Sequence, residues 1–287
     1  MSEIVFPSGV TRSQRYVQAP DFIPEGTDIS DTSNFYSGSK AAVIDIKYNM
    51  GDGCVASYMF YNCKNLVSIY GLDPSKIGDA SHMFENCKYI EMIGRSLEFN
   101  FENTISASDM FAYSGNSSAV TTYAIIPDIN LPKCTNTTNM FYYGYIKKIG
   151  DINCPLTTNI SSMLGVNGSA IESIGLVDFS SVGSSSTGPF GYSTLSKLTY
   201  LGGFKNLKAS WTSYTFSSCT NLTAESLMNI INYAWDWTDY PDGKVTNPNG
   251  STVSYGTTHK LVLGSTNLAK LTDEQKAVAT NKGWTLS

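Results

Sequence analysis

The sequence is poor in charge and poorer still in the residues of common chemistry. Asp, Glu, Lys and Arg make up 15% of its 287 residues, and their balance is −5. No basic run occurs, which argues against nucleic acid or an anionic membrane surface as a partner. No stretch of 18 or more apolar residues occurs, so no membrane insertion by a spanning helix is expected. Histidine appears twice, at His82 and His259, far apart in the chain. There is no Cys-x-x-Cys pair for zinc, no serine elbow, no phosphate-binding glycine loop and no His-Glu-x-x-His helix. No metal and no cofactor is implied. The first residues, Met1-Ser2-Glu3-Ile4-Val5-Phe6-Pro7, lack the basic start and apolar centre of a secretory signal. A chain starting this way is expected to remain where it is made or to leave inside a particle.

What the sequence has is repetition. Its apolar share is 41%, ample for a folded core. Ser57-Tyr58-Met59-Phe60-Tyr61-Asn62-Cys63-Lys64-Asn65-Leu66-Val67-Ser68-Ile69 returns as Ser81-His82-Met83-Phe84-Glu85-Asn86-Cys87-Lys88-Tyr89-Ile90-Glu91-Met92-Ile93. Weaker copies centre on Met110-Phe111, Met140-Phe141, Met163-Leu164 and Gly188-Pro189-Phe190. Thr215-Phe216-Ser217-Ser218-Cys219-Thr220-Asn221-Leu222 restores the pattern, and Thr32-Ser33-Asn34-Phe35 is read as an earlier copy. The anchors Phe35, Phe60, Phe84, Phe111, Phe141, Leu164, Phe190 and Phe216 lie 25, 24, 27, 30, 23, 26 and 26 residues apart. That period predicts a stacked-repeat solenoid in which no unit buries its apolar side alone.

Each unit is expected to hold a short strand, a turn, and a tight helical or 3₁₀ segment at the anchor. The strand aliphatics are Leu66 and Ile69, Ile90 and Ile93, Ile146 and Ile149, Ile171 and Ile174, and Leu198 and Leu201. Ser57, Ser81, Ser108, Thr138 and Ser161 are candidate caps for the anchor turns. Of the six cysteines, Cys63, Cys87 and Cys219 share one slot, three residues after the anchor. Stacked slots favour a buried file of reduced thiols behaving as small hydrophobes; a disulfide framework is the alternative.

The motif resembles the BspA-like, Treponema-type leucine-rich repeats of bacterial surface proteins, with their roughly 26-residue Met-Phe-x-x-Cys-x-x-Leu-x-x-Ile unit. The resemblance covers about residues 32 to 222, and the chain's end is similar to terminal units of such proteins in gut Bacteroidetes and their phages. It implies an α/β repeat: a right-handed leucine-rich-repeat-like solenoid of about eight coils of 23–30 residues with a C-terminal α/β cap. It also implies a binding or adhesion surface rather than a chemistry.

Residues 1–31, punctuated by Pro7, Gly9, Pro20, Pro24 and Gly26, read as an extended arm that caps the first coil or docks onto another protein. Residues 223–287 read as the cap. Thr223 starts a helix at about 224–233 with Leu227, Ile230 and Ile231 on one face, and Thr272-Asp273-Glu274-Gln275 is a capping box. Between them, 235–258 is turn-rich and aromatic, with hairpin signals at Asp242-Gly243 and Asn249-Gly250.

Two aromatic groups are candidate ligand contacts. Trp235, Trp237 and Tyr240 belong to a projecting loop or to a lid over the last coil. Tyr142 and Tyr143, with Tyr58, Tyr61, Tyr113, Tyr145 and Tyr192, flank anchors and form either a platform for sugar or protein or a wall of the core. Asp236, Asp239 and Asp242 are the only loop carboxylates clustered enough for glycosidase or calcium chemistry, and their spacing matches no EF-hand. The functional expectation is a non-catalytic recognition or adhesion protein for a bacterial surface glycan or protein. A phage virion part, tail- or fibre-associated and contacting other virion proteins through residues 1–30, is favoured over a secreted bacterial adhesin. A purely structural virion part and a polysaccharide-active enzyme are the competing readings.

Overall fold

A computed structural model describes residues 17–18, 23, 25–116, 124–184, 188–191, 195–211 and 215–287, with the backbone alone at 17–18. Tyr192 and most of the expected N-terminal arm lie outside these residues. Successive units pair in parallel. Val17–Gln18, Val43–Asp45 and Ser68–Tyr70 form one sheet, with Val43 opposite Ser68. Asp28–Asp31, Asn49–Val55 and Ile77–Asp79 form a second. A seven-stranded sheet follows. In it Ser173–Asp178 pairs with both Ile146–Ile149 and Ile152–Asn153, and on its far side with Tyr200–Lys205. None of the sheets closes.

The anchors sit in tight turns rather than helices, and the hydrogen bonds explain why. Along each turn, alternate N–H groups bond within the turn and to the next unit. Met59, Tyr61 and Cys63 donate to the carbonyls of Ala56, Tyr58 and Phe60, while Tyr58, Phe60 and Asn62 donate to Ser81, Met83 and Glu85 at 2.8–3.0 Å. The same pattern carries His82, Phe84 and Asn86 onto Ser108, Met110 and Ala112. Aiming every second N–H along the stack puts positive φ on alternate members of that set: Tyr58 and Asn62, His82 and Asn86, Asp109 and Tyr113, Asn139 and Tyr143. A left-handed residue ends a helix before its first turn closes. Among the described anchor turns, the expected 3₁₀ segment appears only at Phe216–Ser218, where the Thr215 side chain accepts from the Ser217 N–H. Elsewhere the cap lies two residues ahead of the predicted serine: Asp79 accepts from the Ser81 N–H and Asn136 from the Thr138 N–H, as Asx turns.

The ladder corrects the first anchor. Asn34, at φ 62°, takes the slot of Tyr58 and His82, so the ring equivalent to Phe60 belongs to Tyr36. Tyr36, Phe60, Phe84, Phe111 and Phe141 form one parallel file with centroids 5.4–5.7 Å apart and planes within 7°. Phe35 falls in the methionine slot and packs edge-on against Tyr48. Four of those rings, from Phe60 to Phe141, and Phe190 are fully buried, as is Leu164; Phe216 is nearly so. Burying each such ring contributes roughly 1.5–3 kcal/mol.

A second correction concerns Ile90 and Ile93, which lie not in a strand but in helix α1 (Ile90–Ser96). Both are buried, three residues apart on one helical face, while Glu91 and Arg95 pair outside. The units that follow Phe84 and Phe111 are the longest, at 27 and 30 residues. A helix rising about 1.5 Å per residue takes up the surplus where a strand rising about 3.3 Å would overshoot. At Ile146 and Ile149, also three apart and both buried, a strand does form, and a register irregularity between Ile146 and Lys148 turns both inward. Where strands pass closest, glycine is required. A Cβ on Gly150 or Gly175 would lie 2.3 Å from the carboxylate oxygen of Asp128 or Asp151, which accept from the N–H groups of Asp151 and Leu176.

The last units end against α2 (Ala224–Tyr233), which lies on strand Tyr200–Lys205 and is capped by Thr223. Lys282 donates to the carbonyls of Ile231, Asn232 and Ala234 at the helix's C-terminus. Helix α3 (Ser265–Leu268), which the sequence pattern did not suggest, precedes α4 (Asp273–Asn281) with the expected capping box. Strands His259–Leu261 and Trp284–Leu286 pair in parallel.

All six cysteines are buried and unbridged. Cys63 and Cys87 donate to the carbonyls of Tyr36 and Phe60, one unit back, and Ser114 does the same to Phe84 in the next. Burial pushes the thiols of Cys63 and Cys219 up to about 12 and that of Cys134 to about 11. An aromatic disulfide reagent at pH 8 is therefore expected to find almost no thiol in the native protein and six after denaturation, and a reductant should leave the melting temperature unchanged. A fast-reacting native thiol, or a reductant-sensitive melt, contradicts the buried-thiol arrangement.

Candidate functional site

The turns that stack the anchors carry a second set of side chains on their outer side. Two residues before each anchor stand Asn34, Tyr58, His82, Asp109, Asn139 and Ser162; two residues after it stand Gly38, Asn62, Asn86, Tyr113 and Tyr143. All of these have positive φ. Asn and Gly are the residues for which that conformation is cheap, and Asp and His take it more readily than most, whereas Tyr is uncommon in it. Four aromatic rings nevertheless occupy it, and they gather. Tyr58 stacks on His82 at 4.2 Å and 8°. Tyr113 and Tyr143, each 49% exposed, lie parallel at 6.0 Å. Tyr142 meets Tyr143 edge-on at 4.5 Å and Tyr113 at 6.0 Å, and Tyr61 packs edge-on to Tyr58.

Polar groups complete the strip. Glu85 lies 2.6 Å from Nδ1 of His82. Burial raises the Asp109 carboxyl above its ordinary value against the pull of nearby His82. Asn86 donates to the Asn62 side chain at 2.8 Å. The result is a rigid band of phenol, imidazole, carboxylate and amide groups, suited to hydrogen bonding and ring contact.

The second predicted group sits differently. Trp237 is buried, stacked on His259 at 3.7 Å and 4°, with Tyr255 and Trp284 beside it. Its backbone N–H donates to the Lys282 carbonyl. Trp235 is half-buried; Lys208 stands 4.6 Å over its ring, and its carbonyl accepts from the Trp284 indole. Burial lowers the Lys208 ammonium to about 8. Residues 244–254 form the signalled hairpin, Lys244–Thr246 with Thr252–Ser254. Tyr255 lashes it down by donating to the Val182 carbonyl at 2.6 Å. Trp235 and Tyr240 do line one shallow depression of ≈ 350 Å³ with Asp236 and Asp239. The carboxylates serve the loop: Asp236 accepts from the N–H and hydroxyl of Thr238, and Asp242 from the Lys244 N–H.

Tyr142 and Tyr143 thus stand in one exposed cluster with Tyr113, while Trp237 closes the C-terminal core. The grouping of His82, Glu85 and Asp109 went unread in the sequence, because it depends on stacking two different units. The signal was available in the recurrence of one slot on either side of each anchor.

Repeated units in parallel register, with a Met-Phe anchor and a buried Cys slot, define a repeat protein of the BspA-like class. A family described as "Mycoplasma protein of unknown function, DUF285" matches residues 25–123 and 54–174, together just over half of the chain, and the chain belongs to it. No curated protein and no solved structure matches the chain.

Truncating Trp237 to Ala is expected to destabilise the protein by about 3–5 kcal/mol, read by chemical denaturation, whereas Tyr143→Ala should change it by under about 0.5 kcal/mol. Burial also lowers the His259 imidazole. The unfolded chain then binds the proton more readily, so stability should be full above the ordinary value of about 6.5 and decline as pH falls through it. His259→Phe should flatten that part of the profile; an unchanged slope would assign it elsewhere.

Proposed function

We propose that this chain is a non-catalytic recognition protein: one continuous right-handed solenoid whose anchor turns present a binding face to a bacterial surface glycan or protein. The observation that carries the reading is the left-handed backbone under Tyr58, Tyr113 and Tyr143. Backbone strain of this kind collects at functional sites. At these positions Asn or Gly would satisfy the turn, as Asn62, Asn86 and Gly38 do, and the exposed rings add little to the core. Tyrosine contributes a broad amphipathic contact surface at low entropic cost, as binding surfaces require. Both histidines are engaged, His82 with Glu85 and His259 under Trp237, and the loop carboxylates hold turns, which supports binding over turnover. The same face serves whether the protein is displayed on a phage tail or on a cell surface.

The test exchanges the strained tyrosines for residues that suit the turn. Tyr113→Asn with Tyr143→Asn should leave the melting temperature equal or higher, because Asn relieves the left-handed strain. It should lower binding of the labelled protein to whole bacterial cells by about tenfold or more, the effect of losing two contact aromatics. Undiminished binding, or a melt lowered by several degrees, refutes a recognition role for these rings.

A further inference from the structure

Lys40, Lys64 and Lys88 each follow their turn anchor (Tyr36, Phe60, Phe84) by four residues. The ring file and the thiol bonds fix the pitch: centroids are 5.6 and 5.4 Å apart, and Cys63 and Cys87 bond one unit back at 3.0 and 3.2 Å. The lysines therefore stand in one exposed file, one per unit, at about 5 Å intervals. Like charges opposed at that spacing repel. None of the three has an ion-pair partner among the described residues. A chain whose balance is −5 has carboxylates to spare, yet none of the described ones pairs with this file. Beside it run the amides of Asn62 and Asn86, and further along the same direction the rings of Tyr113 and Tyr143.

We propose that this file binds an acidic polysaccharide laid along the direction of stacking. Its carboxylates meet the three ammonium groups, its hydroxyls meet Asn62 and Asn86, and its sugar rings reach the tyrosine cluster. The assignment rests on the anchor turns being the recognition face, and names the ligand class of that face. A polymer with one charge per sugar suits one lysine per unit. Duplex nucleic acid, with one charge per about 1.7 Å, would carry far more charge than three lysines neutralise.

The test uses the full chain with polygalacturonate and its fully methyl-esterified form, which share a backbone and differ in charge. Polygalacturonate should bind more tightly than the ester. Its affinity should fall about twentyfold between about 50 and 200 mM salt, as neutralising roughly three charges of a single-stranded polyanion requires. Lys40→Gln/Lys64→Gln/Lys88→Gln should abolish the preference and flatten the salt dependence with an unchanged melt. Equal binding of acid and ester, an unaffected triple variant, or tighter binding of single-stranded DNA overturns the proposal. If acid and ester bind equally and Tyr113→Asn/Tyr143→Asn weakens both, the lysine assignment falls and the recognition face stands. Indifference to both sets of substitutions overturns both.

Discussion

Everything in the repeat region depends on the alternating use of backbone N–H groups in the anchor turns. One N–H closes the turn through the carbonyl three residues back; the next is donated to the following unit. This leaves few orphaned donors in a segment that is neither helix nor strand, satisfying the requirement that buried backbone groups be paired. It has two consequences. Positive φ is imposed at two fixed positions of each unit from Tyr36 to Phe141, and the residue three after the anchors Phe60, Phe84 and Phe111 is small, because it sits against the carbonyl of the unit behind. Cys63, Cys87 and Ser114 meet that limit; Gly144 holds the same slot, where a Cβ would come within 2.8 Å of the Ile146 side chain of its own unit. Thiol and hydroxyl do the same work there, which is why cysteine can be exchanged for serine without loss of the stack.

Stacking like on like also accounts for the composition. A charge at a repeated surface position meets its copy about 5 Å away, so a chain built this way saves energy by being neutral and polar. The files that run between units bear this out: Ser33 with Ser57, Ser81 with Ser106, Asn100 with Asn130 and Asn153. Amides and hydroxyls donate to one neighbour and accept from the other, so the file gains bonds where charges would repel. The low charge of the sequence is in this sense a property of its architecture, and the three aligned lysines are an exception to it.

The repeat, its period and its buried thiols were legible because each depends on identity at a fixed spacing. So were the helix after Thr223, the capping box at Thr272 and the hairpin in 244–254, which rest on local chemistry. What was not legible depends on neighbours. Phe35 looks like an anchor by residue type, and only the register of Asn34 against Ser57 shows that Tyr36 holds the slot. Ile90 and Ile93 fit strand and helix alike at a spacing of three; the length of the surrounding unit decided for helix. Trp235 and Trp237 lie in a turn-rich segment that reads as a projecting loop, but Lys208, His259 and Trp284 draw them inward from positions 22 to 49 residues away. Sequence patterns report the period of a surface and are silent on which long-range partner covers it.

A repeat of this kind has a natural class of ligand. Its side chains recur at one spacing along one direction, so the surface is a row rather than a pocket. A compact ligand would meet a single unit and gain little. A polymer meets several units at once, and each added contact costs only the ordering of one more segment, so weak identical contacts sum to useful affinity. Rigidity matters for the same reason: rings fixed by a left-handed turn and a stack of buried phenylalanines give up little freedom on binding. The strain held under Tyr113 and Tyr143 is therefore consistent with a surface whose binding comes from repetition.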